Sequence, residues 1–431
     1  MKRSALALAA LAAVSTAAQA DIGYSNEHVD FALYGILDAG IGSLEHSYSG
    51  SSVFASTVNP YNLNSSPNSW TGLYTGGISM SRIGVKGEVN LDNGVKAFAK
   101  AEAAVNVTSG VLSNNGQSLY NDINGLKTAN GASAVNGQLF SRVAYIGVAQ
   151  TTLGSIQLGR TTNFSLDQVV QYDPVQAALL FSPLGFSGGI GGGLGATENT
   201  RLDNSVKYEN RIGYVDFGLT AKFAGSKSDA SAGSGFGAML GFSNGPFSIK
   251  GTYLKTSNTV AWATQYSNVV APDPNLQIEN TTGYMFSALY KIDDQATIKA
   301  GYEYATIEAP SNPNLTRITD YYGMFLPNAA VNATGQQHFG TGWIGGDYRF
   351  TSAFDLAIGY FNINTDNSPE VNKEYRASAY SLLADYNLGK SFDTYVGVMV
   401  MDYSGIGLDK KLPTVIYSSN AMYGVGLRFK F

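Results

Sequence analysis

The last ten residues, Met422–Phe431, alternate without interruption between two kinds of chemistry. In an extended chain, Tyr423, Val425, Leu427, Phe429 and Phe431 fall on one face, while Gly424, Gly426, Arg428 and Lys430 fall on the other. One face suits an apolar medium and the opposite face suits water, so the segment fits a wall between two solvents. A soluble sandwich also ends on alternating strands at times, but rarely on an aromatic residue.

The same period of two recurs along the chain. Strands are expected to begin near Val29, Ile78, Val95, Gln138, Ser155, Arg201, Tyr214, Ser234, Phe247, Thr282, Ala296, His338, Phe354, Arg376, Phe392 and Asn420. These are sixteen, an even number, as single-chain bacterial barrels require. Val215, Phe217, Leu219, Ala221 and Phe223 alternate cleanly with Asp216, Gly218, Thr220 and Lys222.

The connections discriminate better than the strands. Short turns such as Leu91-Asp-Asn-Gly94, Asn244-Gly-Pro246 and Gly389-Lys-Ser391 alternate with long segments. The long ones run over Ser43–Gly77, Ser109–Gly137, Phe164–Thr200, Thr259–Asn280 and Glu308–Gln337. A sandwich has no reason to keep this rhythm, whereas a membrane barrel with turns on one side and loops on the other does. The fold class expected is all-β: a transmembrane antiparallel β-barrel of about 16 strands.

Residues 1–20 read as an export signal, with Lys2 and Arg3 before an apolar stretch and Ala18-Gln-Ala20 as the cleavage site. Residues 21–431 read as one barrel domain, since no linker or charge block divides them. No other run approaches the length of a spanning helix. Mean hydropathy is −0.05, the blend expected when half of each strand meets lipid and half meets water. The absence of cysteine rules out thiolate chemistry and cysteine-based metal sites. The net charge of −5, or −7 once Lys2 and Arg3 are removed, argues against a nucleic-acid partner.

Several internal stretches resemble one family. Phe31-Ala-Leu-Tyr-Gly-Ile-Leu-Asp-Ala-Gly40 resembles the first strand of Gram-negative general porins, and Ser81-Arg-Ile-Gly-Val-Lys-Gly-Glu88 with Asp92-Asn-Gly94 their second hairpin. Leu139-Phe-Ser-Arg-Val-Ala-Tyr-Ile-Gly147 with Leu158-Gly-Arg160, then Arg201-Leu-Asp-Asn-Ser-Val-Lys-Tyr208, continue the match. The terminal strand resembles that of outer-membrane barrels generally, where Phe431 would be the insertion signal read by the barrel-assembly machinery. The resemblance implies a trimeric sixteen-stranded barrel in the outer membrane, among lipid and lipopolysaccharide, passing small hydrophilic solutes and ions by passive diffusion. It implies no cofactor. It also implies that the third extracellular loop, here Phe164 to about Asn199, folds into the lumen and constricts the pore. This chain departs from the pattern in its enlarged loops and in the stretch Gly188-Gly-Ile-Gly-Gly-Gly-Leu-Gly195. A substrate-specific outer-membrane channel is the alternative that the enlarged loops favour.

Parity selects candidate pore residues. With Ile83, Val85 and Val89 toward lipid, Arg82, Lys86 and Glu88 face the lumen. With Val143 and Tyr145 outside, Arg142 faces inward; with Val206 and Tyr208 outside, Arg201, Asp203, Ser205 and Lys207 do. Arg82, Arg142 and Arg201 match the family's wall arginines, and Asp167 and Asp173 on the inward loop would oppose them. Such opposed charges create a transverse field across a narrow pore. Solvated lumen charges without influence on selectivity are the plainer account.

Arg160 falls on the outward face with Ile156 and Leu158, where a charge costs about 2–4 kcal/mol near the bilayer midplane. Either a trimer contact covers it or the alternation fails there. Ala97, Ala99, Ala101 and Ala103 give a small-residue outward face suited to close subunit packing. Tyr145, Tyr208, Tyr304, Tyr386, Phe429 and Phe431 are candidates for the interfacial girdles.

The string Gly185-Phe-Ser-Gly-Gly189 imitates a hydrolase elbow without the strand-turn-helix context that chemistry needs. His28, His46 and His338 make no metal-ligand spacing. An enzyme would need an acid, base or nucleophile constellation at the rim, and none is visible.

Overall fold

The computed structural model describes residues 22–45, 69–110, 112, 139–187, 201–223, 234–262, 276–308, 337–366, 375–404 and 419–431. The export signal, the position Gln138, the Gly188–Gly195 stretch and most of the long loops lie outside these residues.

The described strands are β1 (Ile22–Ser25), β2 (Val29–Leu44), β3 (Trp70–Thr75), β4 (Arg82–Asn90), β5 (Val95–Ala104) and β6 (Val143–Gln150). They continue as β7 (Gly154–Thr162), β8 (Arg201–Ile212), β9 (Val215–Lys222), β10 (Gly235–Asn244), β11 (Phe247–Trp262) and β12 (Leu276–Lys291). The last are β13 (Ala296–Glu308), β14 (Gln337–Arg349), β15 (Phe354–Asp366), β16 (Tyr375–Asn387), β17 (Phe392–Ser404) and β18 (Ser419–Lys430). Each pairs antiparallel with its neighbour, and β18 pairs with β2 to close the ring. Setting aside the short β1 and β3 leaves a closed barrel of sixteen strands. Closure leaves no backbone edge unpaired in lipid, where an unsatisfied peptide group costs several kcal/mol. No helix among the described residues is long and apolar enough to cross a membrane.

The two extra strands correct the sequence reading. Trp70–Thr75 lies inside the expected loop 43–77, yet it pairs with Ala39–Leu44 and carries the wall upward beside β2. The following strand starts at Arg82 rather than near Ile78, because residues 76–81 fold inward at Gly76, whose φ of +71° is a left-handed turn. β1 pairs with Asp30–Leu33, in the column below Phe431.

Alternation sorts the side chains as the C-terminal segment demanded. Tyr423, Val425, Leu427 and Phe429 are exposed on the outer surface, while Arg428 and Lys430 turn inward to Asp393. Tyr304, Tyr386 and Phe429 are likewise exposed outward. Phe429 stacks on Phe431 at 5.7 Å, with Phe431 against Gly35. Tyr208 is half-buried and donates from its hydroxyl to the Leu153 carbonyl.

One strand was read with the wrong parity. Tyr145 pairs with Lys100 and Val143 with Glu102, both lumen residues, so Val143 and Tyr145 point inward. The outward residues of β6 are instead Ile146 and Val148. Arg142 still reaches the lumen, because it stands just before β6 begins and is not bound by that strand's alternation.

Candidate functional site: a basic wall facing an inward segment

After β7 the chain leaves the wall and enters the barrel. Asn163 caps the helix α1 (Phe164–Tyr172), its side-chain oxygen accepting from the Leu166 amide at 2.7 Å. One face of α1 docks on the inner surface of β11 and β12. Gln168 donates to Ser287 Oγ at 2.7 Å and to the Lys250 carbonyl at 3.0 Å, and the Tyr172 and Ser248 hydroxyls lie 2.6 Å apart. Trp343 Nε1 then donates to the Tyr172 carbonyl, and Lys299 Nζ to the Asp173 carbonyl, both at 3.1 Å.

Beyond α1 the segment runs along the wall toward β17 and β18, through the short helix α2 (Pro183–Ser187). Val169, Val175, Leu180, Phe181 and Leu184 pack in one apolar cluster with Trp343, Phe361, Met399 and Met422 of the wall. Inward glycines make the seats. A β-carbon at Gly345 would stand 2.7 Å from Pro174, and one at Gly397 would stand 2.8 Å from three ring carbons of Phe181. Gly397→Leu is therefore expected to lift the segment from the wall at a cost of about 1–3 kcal/mol. A raised open-channel current with an unchanged folded barrel is the expected reading in planar bilayers. An unaltered current would show that Phe181 does not hold the segment.

A second anchor lies at Asp38, fully buried on the inner face of β2. Its carboxylate accepts from the amides of Gly77 (3.0 Å), Ile78 (3.0 Å) and Ser79 (2.7 Å) and from the Tyr395 hydroxyl (2.6 Å). These bonds hold the inward turn 76–81. That turn in turn holds the inward segment, since the Leu180 amide donates to the Gly77 carbonyl at 3.0 Å. Arg428 joins them by donating to Ser79 Oγ at 2.8 Å.

On the other side of the lumen stands a cluster of cations on β4 to β8. Its centre is Glu102, nearly buried, which Arg142 contacts directly through Nε, with Arg82 at 3.8 Å and Lys100 at 3.7 Å. The Tyr34 hydroxyl donates to the same carboxylate at 2.8 Å, and Lys86 and Lys100 lie 5.5 and 5.3 Å from the Tyr34 ring centre. Arg201 is within electrostatic reach of Arg82, Arg142, Arg160 and Glu102. The structure thus brings Arg82, Lys86, Arg142 and Arg201 together. Glu102, Lys100 and Tyr34 were missed, although their alternation (Lys96, Phe98, Lys100 and Glu102 opposite the four alanines) was legible.

The acidic side of the expected field is not found where it was sought. Asp173 is fully buried at the end of α1, with one oxygen accepting from the Val175 amide at 2.8 Å and the other from the Ser182 hydroxyl. Burial pushes its carboxyl up to about 6. It ties the inward segment to itself and presents nothing to the pore. Asp167 is turned to Lys207 of β8 and accepts from Thr162 Oγ1 at 2.8 Å, so it neutralises its own wall. Val170 and Gln171 are the residues of α1 that are exposed, while Asp167 and Asp173 are held by the partners named above.

Arg160 needs no covering subunit. It pairs in register with Ala144, on the outward side, yet its guanidinium donates to Asp203 at 2.6 Å and to the Ser141 carbonyl at 2.9 Å. The pairing of β7 with β8 shifts between Gly159 and Thr161, with Asn204 at φ +49°, so strict alternation fails at this point. The placement of Arg160 at a trimer interface loses its reason.

The comparisons agree with this architecture. A family model described as Gram-negative porin matches residues 7–406. An outer membrane porin protein of Bordetella pertussis is 30% identical over 278 residues, covering 61% of this chain and 62% of that protein. The chain therefore matches somewhat less than two thirds of that relative's length. Among solved structures, an anion-selective porin from Comamonas acidovorans superposes with a TM-score of 0.64 at 16% identity, covering 94% of this chain and all of that one. OmpT of Vibrio cholerae gives 0.60 at 15% identity, covering 95% of this chain and all of that one. A trimer form of OmpT is also similar, at 0.59 and 16% identity over 94% of this chain. Matched by its family model over nearly its whole length and folded as a closed sixteen-stranded barrel, the chain belongs to the Gram-negative porin family.

Proposed function

We propose that the protein forms a water-filled outer-membrane channel for passive diffusion of small hydrophilic solutes, with its constriction between the inward segment and the basic wall, and that it prefers anions. One observation carries the preference: among the described residues, Arg82, Lys86, Lys100, Arg142, Arg160 and Arg201 cluster with Glu102 and Asp203, an excess of cations. The opposite face offers Val170 and the amide of Gln171. A lining with an excess of one sign concentrates counter-ions at the narrowest point. The similar porin from Comamonas acidovorans is anion-selective, which accords with this reading.

Reversal potential across a potassium chloride gradient, measured on single channels, tests it. An anion-selective sign is expected, and a cation-selective sign sinks the preference. Lys86→Glu changes the lining by two charges, about 0.8 kcal/mol at 10 Å in water, or roughly fourfold in the permeability ratio before screening by salt. An unchanged ratio would place Lys86 outside the constriction. Small currents blocked by one solute class would favour the substrate-specific alternative.

The trimer is part of the proposal. The alanine face of β5, with Ala99 exposed, and the trimer form of OmpT support it. Closures in groups of three would show it. Cleavage after Ala20 is proposed from the sequence of the export signal. Phe431 is proposed as the insertion signal, since its amide and carbonyl bond Gly35 at 3.1 and 2.8 Å at the barrel seam. Phe431→Ala is expected to lower the assembled, heat-modifiable fraction in outer-membrane preparations severalfold; an undiminished fraction would remove that role.

A further inference from the structure

On the short-turn side of the Glu102 cluster, the basic wall carries an aromatic pair. Phe98 of β5 and Tyr145 of β6 both face the lumen, and both keep open surface there. Their rings meet edge to face, with centres 6.2 Å apart and planes at 84°. A glycine makes the arrangement. A β-carbon at Gly147 would collide with the Phe98 ring, which lies across the bare backbone of β6. An aromatic that serves packing alone is closed off, as Tyr34 is at 2% exposure, whereas these two are not.

The register sets cations beside the pair. Lys100 stands two residues beyond Phe98 on the same face of β5, opposite Tyr145 across one junction and opposite Lys86 across the other. Both ammonium groups lie over the Tyr34 ring, 5.5 Å from its centre for Lys86 and 5.3 Å for Lys100, so like charges converge on one patch. Glu102 lies 3.7 Å from Lys100 but is shared with Arg82 and Arg142, which leaves the patch positive. On the other side of Phe98 its register partner is Glu88, which Lys96 holds at 3.2 Å. A flat apolar step thus has cations toward the constriction and a neutral ion pair toward the short turns.

We propose that this step is a transit subsite for aromatic carboxylates, whose ring packs against Phe98 and Tyr145 while the carboxylate meets Lys86 and Lys100. The assignment deepens the anion-channel reading above and rests on it. Complementarity gives the class of solute. An aromatic ring brings a negative face and a positive edge to two rings already set at right angles, and a saturated ring of the same charge brings neither. Lysine ammonium groups bind its carboxylate by charge-assisted hydrogen bonds.

Block of single-channel chloride current by benzoate and by cyclohexanecarboxylate, on the refolded full chain, tests it. The two anions match in charge and nearly in size, and differ in aromaticity. Benzoate is expected to block at roughly three- to tenfold lower concentration, the value of one well-placed aromatic contact. Phe98→Leu and Tyr145→Leu are each expected to bring the two blocking concentrations together, and Lys86→Gln to raise both. Equal block by the two anions in the wild type would overturn the proposal, a comparison that needs no variant to fold. So would a benzoate advantage that survives both leucine variants, or a block indifferent to Lys86→Gln. Reversal potential on the same channels separates this inference from the reading beneath it. Anion selectivity with equal block fails the subsite alone, and cation selectivity with the benzoate advantage intact fails the anion preference alone. A folded barrel that does not conduct fails the channel reading, and equilibrium dialysis against the same two anions then decides the subsite, equal retention overturning it.

Discussion

Asp38→Ala is expected to cost about 3–5 kcal/mol of barrel stability and to turn a quiet open channel into a flickering one. The substitution leaves three amides and the Tyr395 hydroxyl without their acceptor. Each orphaned buried group costs about 1–3 kcal/mol, and lumen water recovers part of the total. The functional consequence follows from connectivity. The turn 76–81 loses its hold, and with it goes the tie from the Gly77 carbonyl to Leu180 in the inward segment. Asp38→Asn keeps one acceptor oxygen and is expected to lose roughly half as much. Urea unfolding followed by electrophoretic mobility reads the first effect, and open-channel noise reads the second. Unchanged noise in a folded Asp38→Ala barrel would show that Phe181 and the wall glycines hold the segment alone.

Glu102→Gln is expected to act on stability and selectivity in opposite senses. The carboxylate is the shared partner of Arg82, Lys100, Arg142 and Tyr34. Removing one member of a buried ion cluster costs about 3–5 kcal/mol. The arginine side chains keep about one sixth of their exposure, which places this case at the lower end, near 3 kcal/mol. The surviving channels carry one more net positive charge in the lining and are expected to be more anion-selective than the wild type. A weaker anion preference would mean that the arginines need Glu102 to keep them in the path of the ions. Denaturation midpoint and reversal potential together separate these results.

Much of the fold was legible because alternation reports a two-solvent wall directly. Thirteen of the sixteen strand starts read from period two lie within one residue of those of the ring, while those read near Ile78, Gln138 and Thr282 fall at Arg82, Val143 and Leu276. The short turns fall where Asn-Gly and Asp-rich strings stand. Alternation was silent where the chain leaves the wall. Trp70–Thr75 looked like loop because its pairing with β2 ends at the inward turn, and Asp38, which holds that turn, looks like any lumen aspartate. Tyr145 misled because an aromatic on an inner wall is indistinguishable by pattern from one facing lipid. Asp167 and Asp173 show the same limit: helix phase inside the lumen depends on docking against β11 and β12, which no local string records.

The strand β2 has a further meaning for how such a chain comes together. Along its length it is paired by β1, β18, β3 and β4. Every other junction of the ring joins strands adjacent along the chain, and those can form from local encounters. The junction at Gly35 and Phe431 joins nearly opposite ends of the polypeptide, so its loop-closure cost falls due only once all the rest is in place. Until that moment β2 and β17 or β18 present bare hydrogen-bonding edges, the same template that drives uncontrolled strand addition between chains. The seam is thus expected to be the last junction of the barrel to form, and the interval before it the one in which the chain most needs an escort.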